Sequence, residues 1–237
     1  MSTEAEDMVS REEIKSEFQV ERMILFSDAV FAIVITLMAI EIRIPEAAGH
    51  MEDDRLVVEL KHLFPVIAAY LVSFVFIGVI WFQHLKIFSI VKSYDKGLVF
   101  RNMALLFFIG LFPFSASVIT RQKGTSISFF IYLSVILACI YAQYFLLRYL
   151  VKQKPELCVT SGMTEQKESL RQKGTMVVIF TIVLLVAAIS FYFVDDHDLR
   201  NLIPFLLIPM VAIYRLQERK RKKKASMALI KAEIDHE

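Results

Sequence analysis

The chain is poor in the residues that covalent, metal and phosphate chemistry lean on. It has two cysteines and seven glycines among 237 residues. Cys139 sits inside an apolar run and Cys158 in a polar stretch, which gives neither a disulfide framework nor a metal-ligand spacing. Seven glycines leave little material for a phosphate-cradling loop, and no P-loop, GxSxG, HExxH or glycine-rich dinucleotide turn is present. No enzymatic activity and no cofactor are therefore expected. The five histidines (His50, His62, His84, His197 and His236) are scattered, so no metal site is expected either. The carbonyl-lined filter sequence TVGYG is also missing. A net charge of +2 gives no electrostatic reason for a nucleic-acid partner. The first 21 residues are acidic and polar, with no apolar core of the kind a cleavable signal peptide needs.

The chain is rich, by contrast, in apolar length. It is 56% hydrophobic with a mean hydropathy of +0.54, and the excess is concentrated in long blocks almost free of charge. A span of the ~30 Å hydrocarbon core needs about 20 mainly apolar residues. Six stretches qualify, at residues 23–42, 62–85, 102–120, 124–147, 174–194 and 199–216. The last is shorter and carries Pro204 and Pro209, which read as kinks satisfied by neighbouring helices. The expected fold class is all-α: an integral membrane protein with six transmembrane helices.

Orientation is set by the basic residues. With the N-terminus inside, 21 of the 27 Lys and Arg fall on the cytoplasmic side and six on the other, a strong positive-inside bias. Both termini are therefore expected in the cytoplasm. The organisation reads as a cytoplasmic N-terminal segment (1–21), a six-helix domain (22–216) and a basic cytoplasmic tail (217–237). The positive run from Arg215 to Lys224 reads as an anchor held by anionic lipid headgroups.

Polar residues inside the spans need a reason. A carboxylate at the bilayer centre costs ~2.5–3.5 kcal/mol on insertion scales. Asp28 lies about one turn inside the first span. Either Ser27 or Asp28 caps a helix that begins late, or Asp28 joins a buried network between helices. The apolar run Met23–Phe26 argues for the network, because a late helix start would leave it outside. Arg22 and Asp28 are six residues apart and point to different faces of one helix, so each needs a partner elsewhere. Trp81 and His84 at the end of the second span, and Asn102 opening the third, lie at a matching depth. Farther along the first helix, Ile33, Leu37 and Ile40 form one narrow stripe with Thr36 on its shoulder. By spacing alone this is a packing face.

The run Arg22-Met-Ile-Leu-Phe26-Ser27-Asp28 has the form RxxxFSD and resembles the signature of the transmembrane protein 175 family of lysosomal potassium channels and their bacterial relatives. The adjoining AVFAIVIT stretch, Trp81-Phe-Gln-His84, Asn102 and Pro113-Phe114 are similar to its prokaryotic members. The resemblance implies a K⁺-permeable channel in which the first helix of each subunit lines a central pore. It implies a hydrophobic constriction at Ile33, Leu37 and Ile40, with Thr36 at a position linked to selectivity. It assigns Arg22, Phe26, Ser27, Asp28, Trp81, His84 and Asn102 to the network that holds the first helix. One signature per chain implies a homotetramer, which closed rotational symmetry makes sufficient to ring an axial pore, in a bacterial plasma membrane. The rival expectation is a proton-coupled secondary transporter using Asp28, although no internal repeat is visible.

Overall fold

The computed structural model describes residues 2–40, 42, 53–121 and 125–193. They are helical almost throughout. The helices are α1 (Ser2–Ile40), α2 (Asp53–Phe88), α3 (Lys96–Gly110), α4 (Phe112–Arg121), α5 (Ser126–Arg148) and α6 (Met163–Phe193). A π-helical turn, Tyr149–Gln153, and a 3₁₀ turn, Pro155–Leu157, come after α5. Among the described residues five stretches are long and apolar enough to cross a membrane: Ile14–Ile40, Val66–Phe88, Lys96–Thr120, Ile127–Gln153 and Met163–Val186. The expected sixth span at 199–216 and the basic tail at 217–237 lie outside the described residues.

The first helix has no glycine or proline and runs unbroken from Ser2 to Ile40. One boundary differs from that expected. The third span is two helices rather than one. Leu111 closes α3 with its amide on Phe108 and Ile109 carbonyls, and Pro113, which has no N–H to donate, stands in the first turn of α4. Ser115 steadies the restart through its hydroxyl to the Phe112 carbonyl at 3.0 Å.

The chain divides into two compact units, Met1–Val177 and Val178–Glu237. In the second, the described residues are the last part of α6, from Val178 to Phe193. The core of the first is apolar and interlocked: Ile77, Leu98, Leu105, Ile109, Phe112, Leu146 and Leu150 are all buried. Phe112 stacks on Phe76 with ring centroids 5.3 Å apart and meets Tyr132 edge-on. Ser73 and Tyr132 exchange a buried hydrogen bond of 2.7 Å between α2 and α5.

A clasp joins the α2–α3 and α5–α6 connections. The Lys92 amide bonds the Leu157 carbonyl at 2.9 Å, and the Val159 amide bonds the Ile90 carbonyl at 2.8 Å. Asp95 caps α3 by accepting from the Leu98 amide at 2.7 Å, and it also accepts from the Tyr149 hydroxyl. Arg101 lies over the Tyr149 ring at 3.9 Å. A Cβ at Gly97 would strike the Tyr149 hydroxyl, so a larger residue there would have to displace that ring. Burial pushes the Asp95 carboxyl up, but the Tyr149 and Leu98 hydrogen bonds, with Lys154 and Arg101 nearby, outweigh it and hold it below its usual value.

Candidate functional site

The site is built on α1 and on one turn of α2. At about 100° per residue, Ser27, Phe31, Val34 and Met38 share one face of α1. That face packs into the bundle: Phe31, Val34 and Met38 are 2%, 4% and 3% exposed, and Ser27 is fully buried. About 120° round the helix lies the stripe of Ile33, Leu37 and Ile40, which are 56%, 47% and 55% exposed. Thr36, beside them, is also exposed, and its hydroxyl donates to the Ile33 carbonyl at 2.8 Å. That bond uses the hydroxyl proton and leaves the oxygen lone pairs able to accept.

The stripe is longer than sequence inspection indicated. Arg22, Phe26, Ala29, Ile33, Thr36 and Ile40 keep the alternating four–three spacing of a heptad seam, and all six are exposed. The signature is therefore divided between faces. Arg22 and Phe26 stand on the seam, away from their own bundle, whereas Ser27 is on the packed face and Asp28 on its flank.

The packed half of the signature makes a directed hydrogen-bond chain. Asn102 Nδ2 on α3 donates to Ser27 Oγ at 2.9 Å, and Ser27 Oγ donates to the Met23 carbonyl at 2.8 Å. Asn102 Oδ1 is 2.9 Å from His84 Nε2 on α2. Because Oδ1 can only accept, His84 Nε2 carries the hydrogen. His84 is fully buried, with its ring against Phe31 and Phe88, and among the described residues its Nδ1 has no partner. Asp28 Oδ1 accepts from Trp81 Nε1 at 2.8 Å. Since α1 is helical through both residues, neither Ser27 nor Asp28 is a cap; both bond across to other helices. The structure thus brings together Ser27, Asp28, Trp81, His84 and Asn102. Among the described residues, Arg22 and Phe26 take no part in these contacts.

Sequence reading missed a second polar group on the same turn of α2. Lys173 on α6 is buried, and its ammonium donates to Gln83 and, at 2.6 Å, to Gln143 Oε1 on α5. Gln143 Nε2 in turn donates to the Ile80 carbonyl at 2.9 Å. Gln143 carried a signal, as an amide inside an uncharged span. Lys173 carried none, because it adjoins a basic loop. Among the described residues no three His, Cys, Asp or Glu side chains gather as a metal site would require.

Residues 22–113 match the family described as the endosomal/lysosomal potassium channel TMEM175; the match runs from the Arg22 of the signature to Pro113. A potassium channel of Streptomyces collinus is 37% identical over 100 residues, 42% of this chain and 47% of that protein. The human endosomal/lysosomal proton channel TMEM175 is 29% identical over 118 residues, 50% of this chain and 23% of that one. The matched part spans about half the length of the bacterial relatives. The crystal structure of a lysosomal potassium-selective channel TMEM175 homolog from Chamaesiphon minutus superposes with a TM-score of 0.63 at 25% identity, over 84% of this chain and 98% of that one.

Proposed function

We propose that the chain, whose residues 22–113 match the TMEM175 family, is a potassium-permeable channel of that family whose pore is ringed by α1 from four copies. The observation that carries this reading is the exposed seam of α1. One face of the helix is packed against its own bundle and fixed by Ser27 and Asp28. The opposite stripe, regular in heptad spacing, is turned away from that bundle and exposed. A seam of that spacing suits the same helix in neighbouring copies around a common axis. Arg22 and Phe26 then belong to contacts between copies, and Ser27, Asp28, Trp81, His84 and Asn102 to those that hold α1 within each one.

The constriction in this reading is formed by Ile33, Leu37 and Ile40, over about 10 Å of helix. Such a ring offers an ion no carbonyl or carboxylate in exchange for its water, and it closes by dewetting. It favours K⁺ over Na⁺ because the larger ion sheds part of its hydration at lower cost. Thr36, with lone pairs able to accept at this level, supplies the one polar oxygen of the ring and tunes the preference. The protein is a multi-pass protein of a bacterial plasma membrane, with anionic lipid at its basic tail.

K⁺ and Na⁺ flux from purified protein in liposomes tests the proposal. Wild type passes K⁺ preferentially without a proton gradient. Leu37→Asn wets the ring and raises Na⁺ flux relative to K⁺, whereas Asp28→Ala weakens assembly. Saturable, proton-coupled flux that is abolished by Asp28→Ala would establish a transporter instead.

A further inference from the structure

One turn of α2 carries more than the contacts to α1. Within Ile80–His84, Trp81 bonds Asp28 of α1, and His84 bonds Asn102 of α3, which bonds Ser27 of α1. On the same turn, Gln83 accepts from Lys173 of α6, and the Ile80 carbonyl accepts from Gln143 of α5, which also accepts from Lys173. Four helices thus meet at five consecutive residues. The charge on the α6 side is that of Lys173, which is 9% exposed, and among the described residues it has amide oxygens and no carboxylate for partners.

We propose that Lys173 is a positioning residue for the pore helix: its buried ammonium fixes the Ile80–His84 turn of α2 in the register that presents Trp81 to Asp28 and His84 to Asn102. The proposal rests on the reading of α1 as pore-lining. A buried charge is costly unless its hydrogen bonds are made, and bonds from an ammonium are stronger than those between neutral groups. Lys173 therefore holds only an arrangement in which Gln83 and Gln143 both reach it. Gln143 cannot swing away, because its own amide is committed to the Ile80 carbonyl. Seven residues earlier on the same face of α6, Gln166 Nε2 donates to the Lys86 carbonyl at 2.7 Å, so α6 is tied to α2 at two levels. A rotation or slide of α6 is passed to Trp81 and His84 and through them to Ser27 and Asp28. The spacing of Ile33, Leu37 and Ile40 around the axis changes with them.

Lys173→Met keeps the length of the side chain and removes its hydrogen bonds and charge. It also removes the cost of burying that charge, so the variant is expected to assemble. In liposomes its K⁺/Na⁺ flux ratio should change by about 2- to 30-fold, the range seen when residues that couple distant sites are altered. Gln83→Leu should shift the ratio in the same sense, and the double variant no further than either single one. Gln83→Glu, which still accepts from the ammonium, should keep the wild-type ratio. Assembled Lys173→Met with an unchanged ratio overturns the proposal, as do additive effects of Lys173→Met and Gln83→Leu. Should Lys173→Met fail to assemble, the Gln83→Leu and Gln83→Glu pair decides: equal ratios in the two overturn it. Leu37→Asn is measured alongside. If it moves the ratio while the Lys173 and Gln83 variants do not, the positioning role fails and the pore reading stands. If it does not move the ratio, the pore reading fails and the inference falls with it.

Discussion

Ser27 and Asp28 are neighbours in sequence but bond to different helices, and the difference is a matter of 100° of helix. Ser27 faces Asn102 and Asp28 faces Trp81. The need for partners across helices was legible, because a carboxylate one turn inside an apolar span has few cheap alternatives. Which residue pairs with which was not, since that depends on helix rotation and crossing. Lys173 was illegible for a different reason: a lysine next to a basic loop looks solvated, and only the packing of α6 on α2 and α5 buries it. Asn102 is the residue on which the directed chain depends. Asn102→Ala leaves both His84 Nε2 and Ser27 Oγ short of a partner. We expect it to destabilise the protein by about 1–3 kcal/mol, against about 0.6 kcal/mol for an average hydrogen bond between membrane helices. Thermal unfolding in detergent checks this, and a midpoint equal to wild type would show that the chain carries no weight.

At the scale of elements, the existence of the described spans was legible from apolar length, but their ends were not. Helices continue past the hydrocarbon wherever nothing stops them, and α1 has neither glycine nor proline to do so. The break between α3 and α4 needed Leu111 and Pro113 to be read as a stop and a restart within one apolar block. At the start of α3 the signal is sharper. Asp95 caps the helix and receives the Tyr149 hydroxyl, so Asp95→Ala should cost about 0.5–2 kcal/mol at pH 7. The sign of its pH dependence is fixed by the lowered folded-state value. The contribution is full above the unfolded pKa of about 3.9 and is lost as pH falls through the folded one. The gap in stability between wild type and Asp95→Ala should therefore narrow in acid. A gap independent of pH would mean that the ionised carboxylate is not what caps α3.

At the scale of the whole molecule, the helical bundle and the packed face of α1 account for the Ser27, Asp28, His84 and Asn102 side of the signature. They leave the Arg22–Ile40 seam exposed, as they leave Val72, Val75, Phe100 and Phe107 on other spans. The tetramer we propose places that seam at a shared axis, and native mass spectrometry should then give a species of four 27.3 kDa chains. Spacing alone could not distinguish such a seam from an ordinary packing face; the packing of the opposite face turns the seam away from the described part of its own chain. Whether the α1 stripe lines the pore is tested by single cysteines along α1, introduced after Cys139 and Cys158, both buried free thiols, are replaced by alanine. Each variant is exposed in liposomes to a cationic methanethiosulfonate while K⁺ flux is measured. Block is expected at Ile33→Cys, Leu37→Cys and Ile40→Cys and none at Val34→Cys or Met38→Cys. Block at Val34 and Met38, with Ile33, Leu37 and Ile40 unaffected, would contradict it.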